Sequence, residues 1–309
     1  MGRNSTVPIS LPSLETFYIT ANKLRFHVTA WGDKSQPPVV MHAGTGFVAA
    51  TWHPVAEALS PQFRVYAIDR RGHGWSDKPE SGYEFFDFAE DTIAILDAMK
   101  LQPVIAIGHS AGGTDFLTAA SQRPDLFKAI FLHEPTMADT TIHPKAADLP
   151  SWAVNQIERV NNRRAYFPSR EAAFEHFHSR EPFSRWQDML LGLHAHFGLE
   201  AQAEGGFRLS CYPAIETQIL LPIYSAMNNL HTGDHRGSPF KHFKYIRQPV
   251  GLVRSENSGE RFITMFERVK TALPNVISMP PLQNTGHCAP QENPQALLDA
   301  IQTFLSMPI

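Results

Sequence analysis

Cysteine is scarce. Cys211 and Cys288 are the only two in 309 residues, too few for a disulfide framework or a zinc ligand set. That scarcity sets a reducing, cytoplasmic location as the expectation. No stretch approaches the roughly 20 consecutive apolar residues of a membrane span. Met1 to Ser13 lack the apolar core of a signal peptide and read as a loose polar arm carrying Pro8 and Pro12. Charge excess is also missing: 27 Lys and Arg stand against 30 Asp and Glu, a net charge of −3. This gives neither nucleic acid nor an anionic membrane surface a reason to bind. Internal repeats and low-complexity tracts are absent too. What remains is an ordinary globular composition, 43% hydrophobic and 18% charged. The length suits one large α/β domain with an insertion, or two domains. The implied partner is a small molecule, and a homo-oligomer is compatible with the sequence.

Strand-like runs at Leu14 to Ile19 and Leu24 to Trp31 open the chain, with a turn at Ala21-Asn22. A buried-strand run follows at Val39-Val40-Met41-His42. Helical patterns at Thr51 to Leu59, Asp87 to Met99 and Ala111 to Gln122 then alternate with strands at Arg64 to Asp69, Val104 to Gly108 and Ala129 to His133. Such alternation predicts a mainly parallel sheet covered on both faces. From Pro135 to about Tyr245 the pattern is helical with almost no strand signal. The rhythm resumes with a strand at Val250 to Val253, a helix at Glu260 to Leu273, a strand at Val276 to Met279 and a helix at Pro294 to Leu305. The expected organisation is a core of residues 1–135 and 246–309, with residues 136–245 inserted as a helical cap over the strand ends, where open α/β sheets bind ligands.

The pentapeptide Gly108-His109-Ser110-Ala111-Gly112 joins an apolar strand to a helix, the arrangement of a nucleophile elbow. Small residues are needed because the turn strains the serine backbone, and side chains two positions either side of it would collide. A serine hydroxyl is a weak nucleophile and needs an adjacent base. His287, in the loop after the last predicted strand, stands where the Ser…acid…His order puts that base. Two backbone N–H groups must face the developing oxyanion. Ala111 supplies one at the start of the helix after the serine. The second is assigned to Gly44, with Thr45 as the alternative, in the loop His42-Ala43-Gly44-Thr45-Gly46.

These segments, together with Asp69-Arg70-Arg71-Gly72-His73-Gly74-Trp75-Ser76, resemble the α/β-hydrolases, in the branch with an inserted helical cap. The resemblance implies an eight-stranded, mainly parallel sheet and a cofactor-independent hydrolase. It implies a structural role for Asp69 to Ser76. A serine in place of an aspartate nucleophile separates the chain from the epoxide hydrolases and haloalkane dehalogenases on this frame. The family's usual aspartate after the seventh strand is missing, and Ser258 stands in that place. Two glutamates compete for the role of acid. Glu134, at the carboxyl edge after the strand ending at His133, can reach the second nitrogen of His287 from the neighbouring strand end; Glu256 is the alternative. The His133-Glu134-Pro135-Thr136 surroundings are similar to those of the zearalenone-type lactonases, which use a glutamate there.

The insert carries Trp152, Tyr166, Phe167, Phe174, Phe177, Trp186, Phe197, Tyr212 and Tyr224. Part of this aromatic set packs the cap and part lines a pocket for an apolar or aromatic substrate. His194 and His196 are two residues apart, as are His176 and His178, so neither pair shares a helix face and no metal site is expected. Arg163 and Arg164 read as a solvated face, with a clamp for a substrate carboxylate as the alternative. The leading expectation is a serine esterase or lactonase working through an acyl-enzyme. Hydrolysis of a C–C bond, and acyl transfer or cyclisation, are alternatives on the same frame. From another class, a ligand-binding, receptor-like protein with little turnover would fit the missing aspartate.

Overall fold

The computed structural model describes residues 10–136, 149, 151–227 and 239–308; Met1 to Ile9 of the polar arm and parts of the 136–245 insert lie outside these. The antiparallel pair β1 (Glu15–Ala21) and β2 (Leu24–Trp31) turns at Asn22 and Lys23. Then β3 (Pro38–His42), α1 (His53–Leu59), β4 (Arg64–Ile68), α2 (Phe85–Met99), β5 (Val104–His109), α3 (Ala111–Gln122) and β6 (Phe127–His133) alternate. The next stretch holds α4 (Ser151–Asn161), β7 (Tyr166–Phe167), α5 (Arg170–His178), α6 (Asp188–Phe197), β8 (Leu199–Ala201), β9 (Phe207–Leu209) and α7 (Pro213–Met227). The chain closes with β10 (Val250–Val253), α8 (Glu260–Ala272), β11 (Val276–Ser278), α9 (Ala289–Glu292) and α10 (Pro294–Leu305).

Eight strands form one sheet in the order β1-β2-β4-β3-β5-β6-β10-β11. Pairing is antiparallel for β1-β2 and β2-β4 and parallel from β4 to β11. The unbroken apolar run of β5 follows from burial on both faces. Val104 and Ala106 pack on one face with Phe116, Leu117 and Phe127, while Ile105 and Ile107 pack on the other with Trp52, Phe131 and Phe304.

Two local features depart from the sequence pattern. Helix α2 begins at Phe85, two residues before the expected Asp87, because Asp87 serves as the N3 partner of a capping box: its carboxylate accepts from the Glu84 amide at 2.8 Å. A three-stranded sheet, β7-β9-β8, stands inside the segment expected to be helical. Its strands of two and three residues are too short to display a period of two.

The segment after β4 is anchored by a buried carboxylate. Asp69 accepts from His27 Nδ1 at 2.8 Å, the Ala49 amide at 2.7 Å and the Trp75 amide at 3.1 Å. At Gly74, with φ +48°, any Cβ would overlap that carboxylate, so glycine is obligatory there. Arg70 and Arg71 leave the same turn in opposite buried pairs, with Asp115 and Asp91. Replacing Asp69 with alanine strands three donors, two of them buried. Urea unfolding of Asp69→Ala is expected to show a loss of about 3 kcal/mol; a change below about 1 kcal/mol would remove the anchoring role.

Candidate active site

Ser110 sits at φ 54° and ψ −126°, between β5 and α3. A non-glycine residue there is strained, and the surroundings must hold it. The Ser110 amide donates to the His133 carbonyl at 3.0 Å, and the Ser110 carbonyl accepts from the Gly113 and Thr136 amides at 3.0 and 3.2 Å. The flanking glycines are required sterically. A Cβ at Gly108 would stand 2.5 Å from Gly113 Cα, and one at Gly112 would stand 2.5 Å from the His42 carbonyl oxygen. The hydroxyl is thereby pushed to the carboxyl edge of the sheet.

Three sequence-distant side chains meet at that edge. Ser110 Oγ is 3.0 Å from His287 Nε2, and His287 Nδ1 is 2.6 Å from Glu134 Oε2. Burial alone would raise the Glu134 pKa. Hydrogen bonding from His287, the nearby His133 and His287 rings and the Ser258 hydroxyl outweigh it, leaving Glu134 at about 2. An ionised Glu134 accepts only, so the His287 proton resides on Nδ1. Nε2 then presents its lone pair to the Ser110 hydroxyl. Glu256, the competing acid, is exposed and accepts from the Asn284 amide at 2.9 Å. The geometry brings Glu134, and not Glu256, to the imidazole.

Several groups that hold this arrangement escaped sequence reasoning. Ser255 donates its amide to Glu134 Oε1 at 2.9 Å, and its hydroxyl donates to the Gly286 carbonyl at 2.7 Å. Ser258, standing where the aspartate was sought, donates its hydroxyl to Glu134 Oε1. His109 Nε2 donates to the His287 carbonyl at 2.7 Å, and Phe262 stacks on the His287 ring at 3.8 Å between centroids. Burial, reinforced by the neighbouring imidazoles, holds the His109 pKa well below its ordinary value; burial brings His133 down to about 4. Both stay neutral. Thr136 Oγ1 lies 3.0 Å from Ser110 Oγ, a second partner for that hydroxyl. The sequence carried a signal only for Ser258, through its position.

Ala111 is the first residue of α3, where N–H groups have no intrahelical acceptor. Gly44 packs so closely that a Cβ on it would come to 3.0 Å from Ser110 Cβ, and Thr45 lines the cavity. Both sequence-predicted loop residues therefore border Ser110. A cavity of about 170 Å³ opens over Ser110, Ala111 and His287. Its walls come from α4 (Trp152, Gln156), α7 (Glu216, Leu220, Ile223, Tyr224) and α8 (Arg261, Phe262, Met265). Of the aromatic set, Trp152 and Tyr224 line this cavity, whereas Phe167, Phe177 and Trp186 pack in a separate buried cluster. Arg163 is not on a solvated face: it pairs with Glu216, while Arg164 is exposed. Among the described residues, no group of three or more His, Cys, Asp or Glu could hold a metal ion, and no helix is long and apolar enough to cross a membrane.

A sequence model described as the alpha/beta hydrolase fold matches residues 37–192. The chain is 26% identical over 275 residues to the 2-(acetamidomethylene)succinate hydrolase of Mesorhizobium japonicum, covering 88% of each protein. It is 24% identical over 299 residues to a carboxylesterase of Bacillus subtilis, covering 94% of this chain and 88% of the other. Among solved structures, E-2-(acetamidomethylene)succinate hydrolase superposes with a TM-score of 0.75 at 23% identity, over 96% of this chain and 100% of that one.

Because Glu134 has a depressed pKa, its ionised form stabilises the fold at pH values above the ordinary carboxyl value of 4.5, and that contribution is lost as pH falls towards about 2. Urea unfolding of the native protein and Glu134→Gln is expected to show the native advantage shrinking across that window, by no more than about 3 kcal/mol. An advantage that stays constant between pH 5 and pH 2.5 would mean that Glu134 is not held ionised.

Proposed function

Since the chain belongs to the alpha/beta hydrolase fold family and is an enzyme of that type, we propose that it is a serine hydrolase cleaving a carboxylic ester or lactone through an acyl-enzyme. The observation that carries this reading is the continuous hydrogen-bonded line Ser110–His287–Glu134, with spacings of 3.0 and 2.6 Å. His287 Nε2 takes the hydroxyl proton while Ser110 Oγ attacks the carbonyl carbon. Glu134 keeps the imidazole in the productive tautomer and stabilises the imidazolium without itself becoming protonated. The Ala111 amide and that of Gly44, or of Thr45 beside it, hold the oxyanion.

Collapse of the tetrahedral intermediate breaks the C–O bond, and the leaving oxygen receives the proton from His287. With a lactone, that oxygen stays on the acyl chain and the ring opens. Water, deprotonated by His287, then attacks the acyl carbon; Ser110 leaves with its proton restored, and a carboxylic acid is released. Every proton transfer runs through one nitrogen, so no further acid or base is required.

Residues 136–245 act in this proposal as a cap that shapes the substrate cavity over the core formed by residues 1–135 and 246–309. Support comes from α4 and α7, which supply Trp152, Leu220, Ile223 and Tyr224 to the wall facing Ser110. This mainly apolar lining suits an apolar or aromatic acyl or alkyl group. A carboxylesterase among the relatives favours the ester reading over C–C cleavage and acyl transfer.

A fluorophosphonate probe is expected to label the native protein stoichiometrically and to leave Ser110→Ala unlabelled. An unlabelled native protein would refute a reactive serine. With a p-nitrophenyl ester as substrate, Glu134→Gln should lower kcat by about 10³–10⁴ with little change in KM, because the wrong tautomer is populated. Glu256→Gln should stay within about twofold of native. The opposite ranking would transfer the acid role to Glu256.

A further inference from the structure

Glu216 has no part in the acyl-transfer steps above, yet its carboxylate borders the same cavity. It is only 8% exposed and lines that cavity with Thr45, Ser110 and His287. It stands on α7 one and two turns before Leu220 and Ile223, which line the same wall. One carboxylate oxygen, Oε2, accepts from Arg163 Nη2. The same oxygen approaches Gly46, where a Cβ would stand 3.6 Å away, so the side chain lies against the loop bordering the nucleophile. Oε1 has no hydrogen-bond partner among the described residues, and Arg163 Nε is buried without one.

A nearly buried ion pair carries a desolvation cost that apolar residues of similar size would avoid, and Oε1 is open to the cavity, not sealed from it. Stability gives no reason to keep such a pair on the wall of a substrate cavity. Recognition does. The pair is internally neutral, because Arg163 balances the Glu216 charge, so a substrate ammonium gains little there and a substrate carboxylate is repelled by the nearer oxygen. The complementary group is a neutral donor.

We propose that Glu216 is a specificity-determining residue whose Oε1 accepts a hydrogen bond from a hydroxyl on the acyl part of the substrate, with Arg163 holding the carboxylate in place. The proposal places that hydroxyl on the acyl part because Glu216 lies against the loop carrying the candidate oxyanion donors, and the acyl group is the part that stays bonded to Ser110 after the alcohol departs. The substrate class narrows accordingly to hydroxy-acyl esters or lactones with an otherwise apolar chain. This inference rests on the serine-hydrolase reading above.

The test measures kcat/KM for p-nitrophenyl hexanoate and for the same ester hydroxylated in turn along its acyl chain. The native enzyme should prefer at least one hydroxy ester over the parent by about tenfold or more, as expected for a hydrogen bond to a charged acceptor. In the double variant Arg163→Met/Glu216→Leu, where apolar side chains replace the whole pair, that ratio should fall close to one. Glu216→Gln, which keeps an acceptor without the charge, should give an intermediate ratio. Fluorophosphonate labelling reports whether each variant retains a reactive Ser110; if the double variant is unlabelled, Glu216→Gln alone carries the comparison. Equal ratios in native and variant enzyme, or no native preference for any hydroxy ester, would overturn the role of Glu216 while leaving the hydrolase reading intact. Failure of the labelled native enzyme to turn over any ester of the series would instead overturn the ester-hydrolase reading.

Discussion

The geometry of the candidate site depends on how one buried carboxylate is held. Glu134 leaves β6 at a φ of 45°, an uncommon conformation for a non-glycine residue. Three donors from two later segments converge on it: the Ser255 amide, the Ser258 hydroxyl and His287 Nδ1. The interaction ties the end of β6 to the segment after β10 and to the loop after β11. Ser110, at φ 54°, is strained in the same sense at the end of the adjacent β5. Two neighbouring strands thus end in strained, buried turns, each held by hydrogen bonds from the other side of the site. Strain of this kind persists only where surrounding contacts over-determine it.

The imidazole between these turns is fixed from several directions. His109 grips its carbonyl, Ser255 grips the preceding carbonyl, and Glu292 accepts from the Gly286 amide at 2.7 Å. Phe262 covers one ring face. In the proposed mechanism the base is therefore positioned before substrate arrives, which lowers the reorganisation needed when its proton moves. At neutral pH His109 and His133 are neutral, so neither competes with His287 for the Glu134 carboxylate.

What the sequence disclosed was whatever leaves a local trace. The elbow is legible because glycine spacing and an apolar strand adjoin it. His287 and Glu134 are legible because each follows a recognisable strand. Glu134 could be ranked above Glu256 but not separated from it, since both lie at strand ends and only the fold decides which faces the histidine. Ser255, Thr136, Phe262 and His109 left no trace of role. A serine, threonine or phenylalanine in a loop or on a helix has many ordinary uses, and these act on partners 121 to 178 residues away in the cases of Ser255 and His109. The Arg163–Glu216 pair was hidden for the same reason: an arginine beside another arginine reads as solvated surface until its distant carboxylate is seen. The β7-β9-β8 sheet was invisible through brevity alone.

Ser258 bears on where a carboxylate can stand in this site. An aspartate in its place would put a second carboxylate against Glu134 Oε1, and two carboxylates in one site do not both ionise at neutral pH. The two locations for the acid are thus mutually exclusive at full charge. Serine at 258 avoids that conflict: it is neutral, and its hydroxyl donates to Glu134 Oε1, so the position left by the usual carboxylate supports the one that stands on the neighbouring strand end.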